Sequence, residues 1–323
     1  MHFLRPLLDR FTLALLGTVA LASLLPCSGA GAVLFDWLAK LAIGLLFFLH
    51  GARLSRAAII AGASHWRLHL LVFACTFVLF PLLGVALRPL LEPWLGAELY
   101  VGMLYLCALP GTVQSAIAFT SMARGNLPAA VCSASASSIL GIFLTPLLVR
   151  ALLGAEAGSG STLQAILRIL VQILLPFVVG HLLRPWLAGW VDRHRGVLKA
   201  VDQGSILLVV YTAFSAAVVE GLWRAVPAPA LLALLLACCL LLALALLATA
   251  TLARRLGFDR ADRIAIVFCG SKKSLATGAP MAQVLFAGGA VGAALLPLMV
   301  FHQIQLMVCA VLAQRYAGAA ERP

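Results

Sequence analysis

The chain has 323 residues, of which 63% are hydrophobic and only 11% are charged. Soluble domains carry about a quarter charged residues, and disordered chains have low hydrophobicity, so the composition excludes both classes. A net charge of +12 would suggest a nucleic-acid partner in a soluble protein, but in an apolar chain basic residues first mark membrane topology. The 8 cysteines show no metal-ligand spacing and are interpreted as packing residues. The composition therefore predicts a multi-span membrane protein.

Ten segments are apolar and long enough to cross a bilayer, which takes about 20 mainly apolar residues. They are Phe11–Leu25, Leu34–His50, His69–Leu87, Tyr100–Ala123, Ala129–Leu152, Leu163–Leu183, Ser205–Gly221, Ala228–Leu252, Ile264–Phe286 and Val291–Ala313. We therefore predict an all-α integral membrane protein with ten transmembrane helices. Little of the chain remains for a soluble domain.

The positions of Lys and Arg predict the orientation of these spans. If the N-terminus is cytoplasmic, sixteen basic residues fall in cytoplasmic segments, and three, Arg88, Arg150 and Arg224, fall on the opposite face. Cytoplasmic loops of membrane proteins carry an excess of basic residues. The pattern thus predicts that both termini are cytoplasmic, and it explains the basic balance without nucleic acid.

A loop rich in Gly and Ser, Gly154–Thr162, divides the spans into two sets of five. Because five is odd, the second set must enter the membrane in the opposite sense, which gives the inverted repeat typical of secondary transporters. We predict a first five-helix repeat over residues 1–155 and a second over residues 156–323. In support, the fourth span of each set is interrupted at a similar place, at Cys107–Ala116 and at Cys269–Leu275.

The first interruption contains Pro110 and Gly111, which predict a break in the helix because proline removes a backbone donor and glycine permits unusual dihedral angles. Freed backbone groups are tolerated at membrane depth only where they face protein or a hydrated cavity. The helix that restarts would offer its amides to an anion, together with Thr112, Gln114 and Ser115 as candidate substrate-binding residues. The alternative is a proline kink packed against neighbouring helices.

The second interruption runs through Gly270, Ser271, Lys272, Lys273 and Ser274, and it holds two of the four lysines of the chain. Its two serines and two lysines are further candidate substrate-binding residues. A charge at mid-bilayer costs about 3 kcal/mol on insertion scales, so we predict that water, helix ends or an anionic ligand surrounds the pair. The alternative is a shifted span that leaves both lysines in a cytoplasmic loop. All 11 acids fall in loops or near span ends, so a cavity between the interruptions is predicted to be electropositive and to favour an anion.

Two further polar stretches lie in the predicted spans. A run of small residues opens the fifth span and includes Ser133 and Ser135, and His302 lies in the tenth span. All three are candidates for binding a coupling ion or proton. The alternatives are close helix packing for the serines and a hydrogen-bonded core position for the histidine.

Motifs of enzymes are missing from the sequence. The chain has no nucleotide-binding loop of the Gly-x-x-x-x-Gly-Lys-Ser/Thr type, no Gly-x-Ser-x-Gly elbow and no HExxH helix. We therefore expect no enzymatic activity, no catalytic residue, no metal ligand and no cofactor other than a sodium ion or proton as coupling ion. The expected partners are an organic anion and the lipid bilayer.

Five stretches of the chain resemble the bile acid:sodium symporter superfamily, in particular its bacterial branch related to the seventh member of the human bile acid carrier family. They are Leu45–Ala52, Pro110–Met122, Cys132–Gly141, Ile266–Ser274 and Phe301–Cys309. The resemblance implies a panel of spans 1, 2, 6 and 7 beside a core of spans 3, 4, 5, 8, 9 and 10, in which the fourth and ninth helices break and cross. It also implies that substrate binds beside the crossing while panel and core move to alternate access.

On the first broken helix the family pattern is matched in part. Sodium-coupled members carry Pro-Gly-Gly followed by Ser-Asn, and here Pro110, Gly111 and Ser115 match while Ala116 replaces the asparagine. The departure removes one amide from the pattern of the sodium-coupled members.

On the second broken helix the departure is larger. The family carries Glu followed by Gly-x-Gln-Asn, whose oxygens bind sodium, and here only Gly270 matches. Phe268 replaces the glutamate, and Lys272 and Lys273 replace the glutamine and asparagine. Ammonium groups only donate hydrogen bonds and repel sodium. Our hypothesis is that one of these lysines takes the place of the bound cation, holds the crossing together and pairs with an anionic substrate.

Three functions follow from the residues and the resemblance. The first is a secondary carrier of an organic anion, driven by protons, by residual sodium binding or by the substrate gradient. Proton coupling is possible because a buried lysine can lose its proton. The alternatives are a passive facilitator or channel, and a membrane regulator of ion homeostasis that transports nothing. The wealth of Arg, Ala and Leu beside few lysines suggests a GC-rich bacterium and a place in the cell inner membrane.

Overall fold

The computed structural model describes residues 10–53, 65–154, 170–286 and 290–319, and within these ranges the chain forms helices and turns without a strand. The helices are α1 (Arg10–Leu24), α2 (Gly29–Arg53), α3 (Trp66–Ala86), α4 (Arg88–Ala108), α5 (Gln114–Met122), α6 (Leu127–Leu153), α7 (Val171–Leu182), α8 (Arg184–Arg193), α9 (Arg195–Val219), α10 (Ala228–Arg255), α11 (Arg260–Gly270), α12 (Leu275–Leu285) and α13 (Ala290–Ala319). The predicted dividing loop lies outside the described residues, except for Gly154.

Among the described residues, six helices are long and apolar enough to cross a membrane, namely α2, α3, α6, α9, α10 and α13. A seventh span is formed if α7 and α8, which meet at a bend of 89°, are taken as one pair. The predicted all-helical, multi-pass architecture is thereby confirmed. Helix α1 is apolar but short, and the predicted fourth and ninth spans are each divided between two helices, so none of these segments is among the six.

Helix α9 begins ten residues before the predicted start of its span. It starts at Arg195 and not at Ser205, because its first turns carry Lys199 and Asp202, whose polarity hides a helix from a hydropathy criterion. This extension places the buried Asp202 and the exposed Lys199 beside the site described below.

Helices α1, α2, α7 and α9 pack on one another and form a group, here called the four-helix group. Within it, α2 and α7 approach closely at Gly51 and Gly180. A Cβ atom on Gly51 would collide with the carbonyl oxygen of Phe177, and one on Gly180 would collide with that of Phe48. Small residues permit such backbone contact between membrane helices. The four-helix group meets the rest of the protein mainly through α9, which packs against α12 and α13.

The close approach predicts a large effect of a small substitution. Gly180→Ala is expected to lower the free energy of unfolding by about 1–3 kcal/mol. The added methyl group collides with the backbone of Phe48, which cannot move away as a flexible side chain could. Thermal unfolding in detergent measures the change. Gly204→Ala is the matched control, since a Cβ there meets nothing within 4 Å. Equal stability of the two variants would contradict the close packing of α2 against α7.

Candidate substrate-binding site

Two interrupted helices meet in the middle of the protein. Helix α4 ends at Ala108, and the chain becomes extended at Leu109 before α5 begins. Helix α11 ends at Gly270, and α12 begins at Leu275, so four residues separate the two helices. The N–H group of Ser274 donates a hydrogen bond of 2.9 Å to the carbonyl oxygen of Pro110. The two interruptions therefore lie against each other, and this region is called the crossing.

Side chains from α6 satisfy the backbone of the first interruption. The Gly111 N–H group donates to Ser137 Oγ at 3.1 Å, and Thr145 Oγ1 donates to the Ala108 carbonyl oxygen at 2.9 Å. Backbone groups that lose helical partners must find others at membrane depth, since water is absent there. Helix α6 thus stabilises the break by supplying these partners.

Gln305 of α13 satisfies the backbone of the second interruption. Its Oε1 accepts from the Lys273 N–H group at 2.9 Å, and its Nε2 donates to the Lys273 carbonyl oxygen at 2.8 Å. The same Nε2 lies 2.9 Å from Nδ1 of His302. Gln305 is fully buried, so one amide replaces two backbone hydrogen bonds that the break removes.

The ammonium group of Lys273 is fully buried in a cage of backbone carbonyls. It donates to the carbonyl oxygens of Thr76, Cys107 and Leu109 at 2.8, 2.9 and 2.7 Å. The ring of Phe80 lies 4.2 Å away, which adds a cation–π contact. All three donor hydrogens of the ammonium group are used.

None of these three carbonyls accepts a hydrogen bond from the backbone of its own helix, and the local sequence and helix ends explain why. Residues 75–79 of α3 form a π-helical turn, in which the N–H group of Phe80 bonds to Cys75. The next donor for Thr76 would be Pro81, which has no N–H group. The carbonyls of Cys107 and Leu109 lie where α4 ends. Lys273 therefore binds three acceptors that would otherwise be buried without partners.

Lys272 is fully buried as well but has different neighbours. Its ammonium group donates to the carbonyl oxygen of Ser115 at 3.0 Å and lies 3.9 Å from the ring centre of Phe119 and 5.3 Å from that of Phe268. No carboxylate among the described residues pairs with either lysine. The two lysines hold the crossing together through carbonyls and aromatic rings.

A cavity of about 190 Å³, here called the crossing cavity, lies between the crossing and the four-helix group. Its polar wall on the crossing side consists of Thr112, Gln114, Ser115, Ser138, Ser274, Thr277 and His302. Its polar wall on the side of the four-helix group consists of His50, Lys199, Asp202 and Gln203. The cavity is thus bounded by two separately packed groups of helices.

The helices α5 and α12 both begin at this cavity. Ser274 caps α12 by accepting from the N–H group of Thr277 at 3.2 Å, and the hydroxyl groups of Thr112 and Ser115 bond to each other at 2.6 Å at the start of α5. A helix N-terminus presents free amides and a partial positive charge to an anion. Two such ends and Lys199 face the same space, which suits a negatively charged group.

The structure brings some of the predicted site residues together at the cavity and leaves others beneath it. Those that line the cavity are Thr112, Gln114, Ser115, Ser274 and His302. Lys272, Lys273 and Ser271 are buried behind the wall, and the Ser271 hydroxyl donates to the carbonyl oxygen of Val267 at 2.6 Å. Neither lysine reaches the cavity, so the expected pairing of an ammonium group with a substrate has no support from this arrangement.

The serines predicted to bind a coupling ion lie away from the cavity. Ser133 is buried and hydrogen-bonded to Nδ1 of His69 at 2.6 Å, and Ser135 is half-buried in α6. Two other serines of the same run are used instead, Ser137 on the crossing backbone and Ser138 in the cavity wall. The helical period decides which serines of the run face the crossing.

Sequence reasoning missed the residues that the four-helix group contributes. Lys199 and Asp202 precede the predicted start of the seventh span at Ser205, and His50 falls in a stretch that carries the family resemblance but has no predicted role in binding. The expected absence of acids from the site is therefore corrected, because Asp202 lies in the cavity wall, 6% exposed, and forms an ion pair with Arg53 of α2. The signal that could have found this pair is a helix that starts earlier, at Arg195.

A multi-helix membrane protein with a polar cavity beside two interrupted helices has the architecture of a membrane transporter. The model of the SBF-like CPA transporter family matches residues 9–318, and the chain belongs to this family. The resemblance read from the sequence is thereby confirmed. The family and its named relatives are transporters and not enzymes.

Three relatives illustrate the range of similarity. The chain is 70% identical to protein PA2026 of Pseudomonas aeruginosa (strain PAO1), over 96% of this chain and 93% of the relative. It is 57% identical to YfeH of Escherichia coli (strain K12), whose name describes it as a symporter, over 98% and 95% of the two chains. It is 28% identical to sodium/bile acid cotransporter 7 of Xenopus tropicalis, over 84% and 80%.

Proposed function

We propose that the protein is a secondary carrier that moves an organic anion across the membrane by alternating access. The observation that carries the proposal is the crossing cavity, which lies between the four-helix group and the crossing and receives the N-termini of α5 and α12. A site bounded by two groups of helices is exposed to one side or the other when the groups move. The four-helix group acts as the panel, and the remaining helices act as the core.

The proposed architecture is two inverted five-helix repeats, residues 1–155 and 156–323, each with one interrupted helix at the crossing. The protein lies in a bacterial cytoplasmic membrane with both termini in the cytoplasm, as the distribution of basic residues predicts. The relatives named as sodium/bile acid cotransporters support transport of an organic anion by this chain.

Transport by this protein is proposed to be independent of sodium. Backbone carbonyls are the ligands that hard cations prefer, and the three that surround the Lys273 ammonium group are already occupied by its donors. The ammonium group acts as a permanent cation in the core. Unlike a sodium ion, it does not bind and dissociate during transport. A proton remains the available coupling ion.

Reconstitution in liposomes tests the proposal. The purified protein is expected to take up labelled organic anions saturably, to do so faster when the vesicles contain unlabelled anion, and to be unaffected when potassium replaces sodium. Acceleration by internal anion distinguishes a carrier from a channel. Only in a carrier does the binding site return to the outside with an internal anion bound. Uptake without acceleration would indicate a passive facilitator, and no uptake of any anion would indicate a regulator.

A substitution in the cavity wall provides the control for specific transport. Ser138→Trp is expected to abolish uptake because the indole fills the crossing cavity. Leu147→Trp, on the same helix but 64% exposed, is expected to transport normally. Equal uptake by both variants would show that the anion does not pass through the crossing cavity.

A further inference from the structure

A second cavity adjoins the crossing cavity and is here called the basic vestibule. It has a volume of about 330 Å³ and lies between the end of α2, helix α8, the first turns of α9 and the start of α5. Gln114, Lys199 and Asp202 belong to the walls of both cavities. An elongated ligand can therefore extend from the start of α5 into the vestibule.

The walls of these two cavities carry more positive than negative charges. Among the described lining residues the basic ones are Arg53, Arg184, Arg195 and Lys199, and the acidic ones are Asp192 and Asp202. Arg53 pairs with Asp202, and Arg195 pairs with Asp192 at 3.0 Å. Each acid is thus used by one arginine. The walls keep two cations, Arg184 and Lys199, which have no ion pair with any described residue.

Arg184 also carries a buried polar atom without a partner. Its Nε is inaccessible to solvent, and the Nε–H group donates no hydrogen bond to a described residue. Leaving a buried donor unpaired costs about 1–3 kcal/mol, so an arginine in this place is expected to have a ligand during function. Arg184 is the first residue of α8, at the bend of 89° between α7 and α8, and it lines the vestibule.

The two unpaired cations occupy different parts of the combined space. Lys199 lines the crossing cavity, where the amide ends of α5 and α12 assist it, whereas Arg184 lines only the vestibule. The other titratable residues that face the crossing cavity among the described residues are His50, His302 and Asp202, and Asp202 is already paired with Arg53. One negative charge at each cation would neutralise the surplus.

We propose that the transported substrate carries two negative charges, one bound by Lys199 beside the starts of α5 and α12 and the other bound by Arg184. The inference rests on the proposed function and adds the substrate class to it. Dicarboxylates fit this description, because arginine and lysine each recognise a carboxylate and the two carboxylates of one molecule can lie apart.

Matched pairs of probes test the charge requirement. Succinate is compared with succinamate, and the longer glutarate is compared with glutaramate; the members of each pair have nearly the same shape but differ by one charge. Apparent thermal stability of the purified protein reports binding by mass action. We expect the doubly charged member of at least one pair to bind about tenfold more tightly than its partner, because a charged contact is lost in the partner.

Substitutions locate the effect. Lys199→Gln and Arg184→Gln are each expected to abolish the preference for two charges, while Arg193→Gln, which removes an exposed charge from α8 outside both walls, is expected to preserve it. Equal binding of singly and doubly charged probes, no binding of any of the four, or a preference that survives both cavity substitutions would overturn the proposal.

The binding experiment with charged probes and the transport experiment in liposomes test different statements. A protein that transports singly charged anions in liposomes, with trans-acceleration, is still an anion carrier, although the charge requirement is then wrong. A protein that binds the doubly charged probes but transports no anion retains the site and loses the carrier function. The two experiments therefore fail independently.

Discussion

Replacing Lys273 with methionine is expected to lower the free energy of unfolding by about 3 kcal/mol or more. The substitution leaves the carbonyl oxygens of Thr76, Cys107 and Leu109 buried without donors, and each unsatisfied group costs about 1–3 kcal/mol. Removal of the buried charge recovers part of that loss, so the net effect is smaller than the sum. Thermal or denaturant unfolding in detergent measures the difference.

Lys40→Met is the matched control for this prediction. Lys40 is exposed and pairs with Asp36 one helical turn away, an interaction worth about 0.3–0.5 kcal/mol. A comparable loss of stability in the two variants would show that the carbonyl cage contributes nothing specific.

A second substitution at the same position tests the role of Lys273 as a resident cation. Lys273→Asn removes the ammonium group and leaves an oxygen ligand beside the same carbonyls. We expect sodium, at constant ionic strength against potassium, to raise the apparent stability of this variant by mass action and to leave the wild-type protein unchanged. Stabilisation of the wild-type protein by sodium would refute the role assigned to the lysine.

Replacing Gln305 with leucine is expected to have the next largest effect, a loss of about 2–4 kcal/mol. Leucine has nearly the right volume but satisfies neither the N–H group nor the carbonyl oxygen of Lys273, both of which Gln305 binds in the buried core. The second interruption then has no partner from α13. Transport is expected to fall with stability, because the start of α12 forms part of the cavity wall.

Two further variants make this prediction specific. Gln314→Leu changes an exposed glutamine of the same helix and is expected to leave stability nearly unchanged. Gln305→Glu retains an acceptor for the Lys273 N–H group but loses the donor for its carbonyl oxygen, so an intermediate stability is expected. Full stability of Gln305→Leu would mean that the interruption does not depend on α13.

The class of the protein and the position of its interruptions follow from the sequence alone. Apolar segments of about 20 residues are long enough to cross a bilayer, and Pro110 with Gly111 weakens a helix because proline lacks an N–H donor and glycine is conformationally free. The lysine pair at Lys272 and Lys273 marks a buried polar region for the same kind of reason, since its charge must be met within the protein. These are local properties of the chain, and no knowledge of packing is needed to state them.

The tertiary structure decides which atoms form hydrogen bonds and ion pairs with those polar groups. The carbonyl of Thr76 that binds Lys273 lies 197 positions away along the chain, and it is free only because a π-helical turn precedes Pro81. Arg53 and Asp202 are separated by 149 positions. A sequence specifies that a lysine needs acceptors, but many carbonyls could supply them. Only the packing of α3, α4 and α11 against one another selects three and turns the ammonium group away from the cavity.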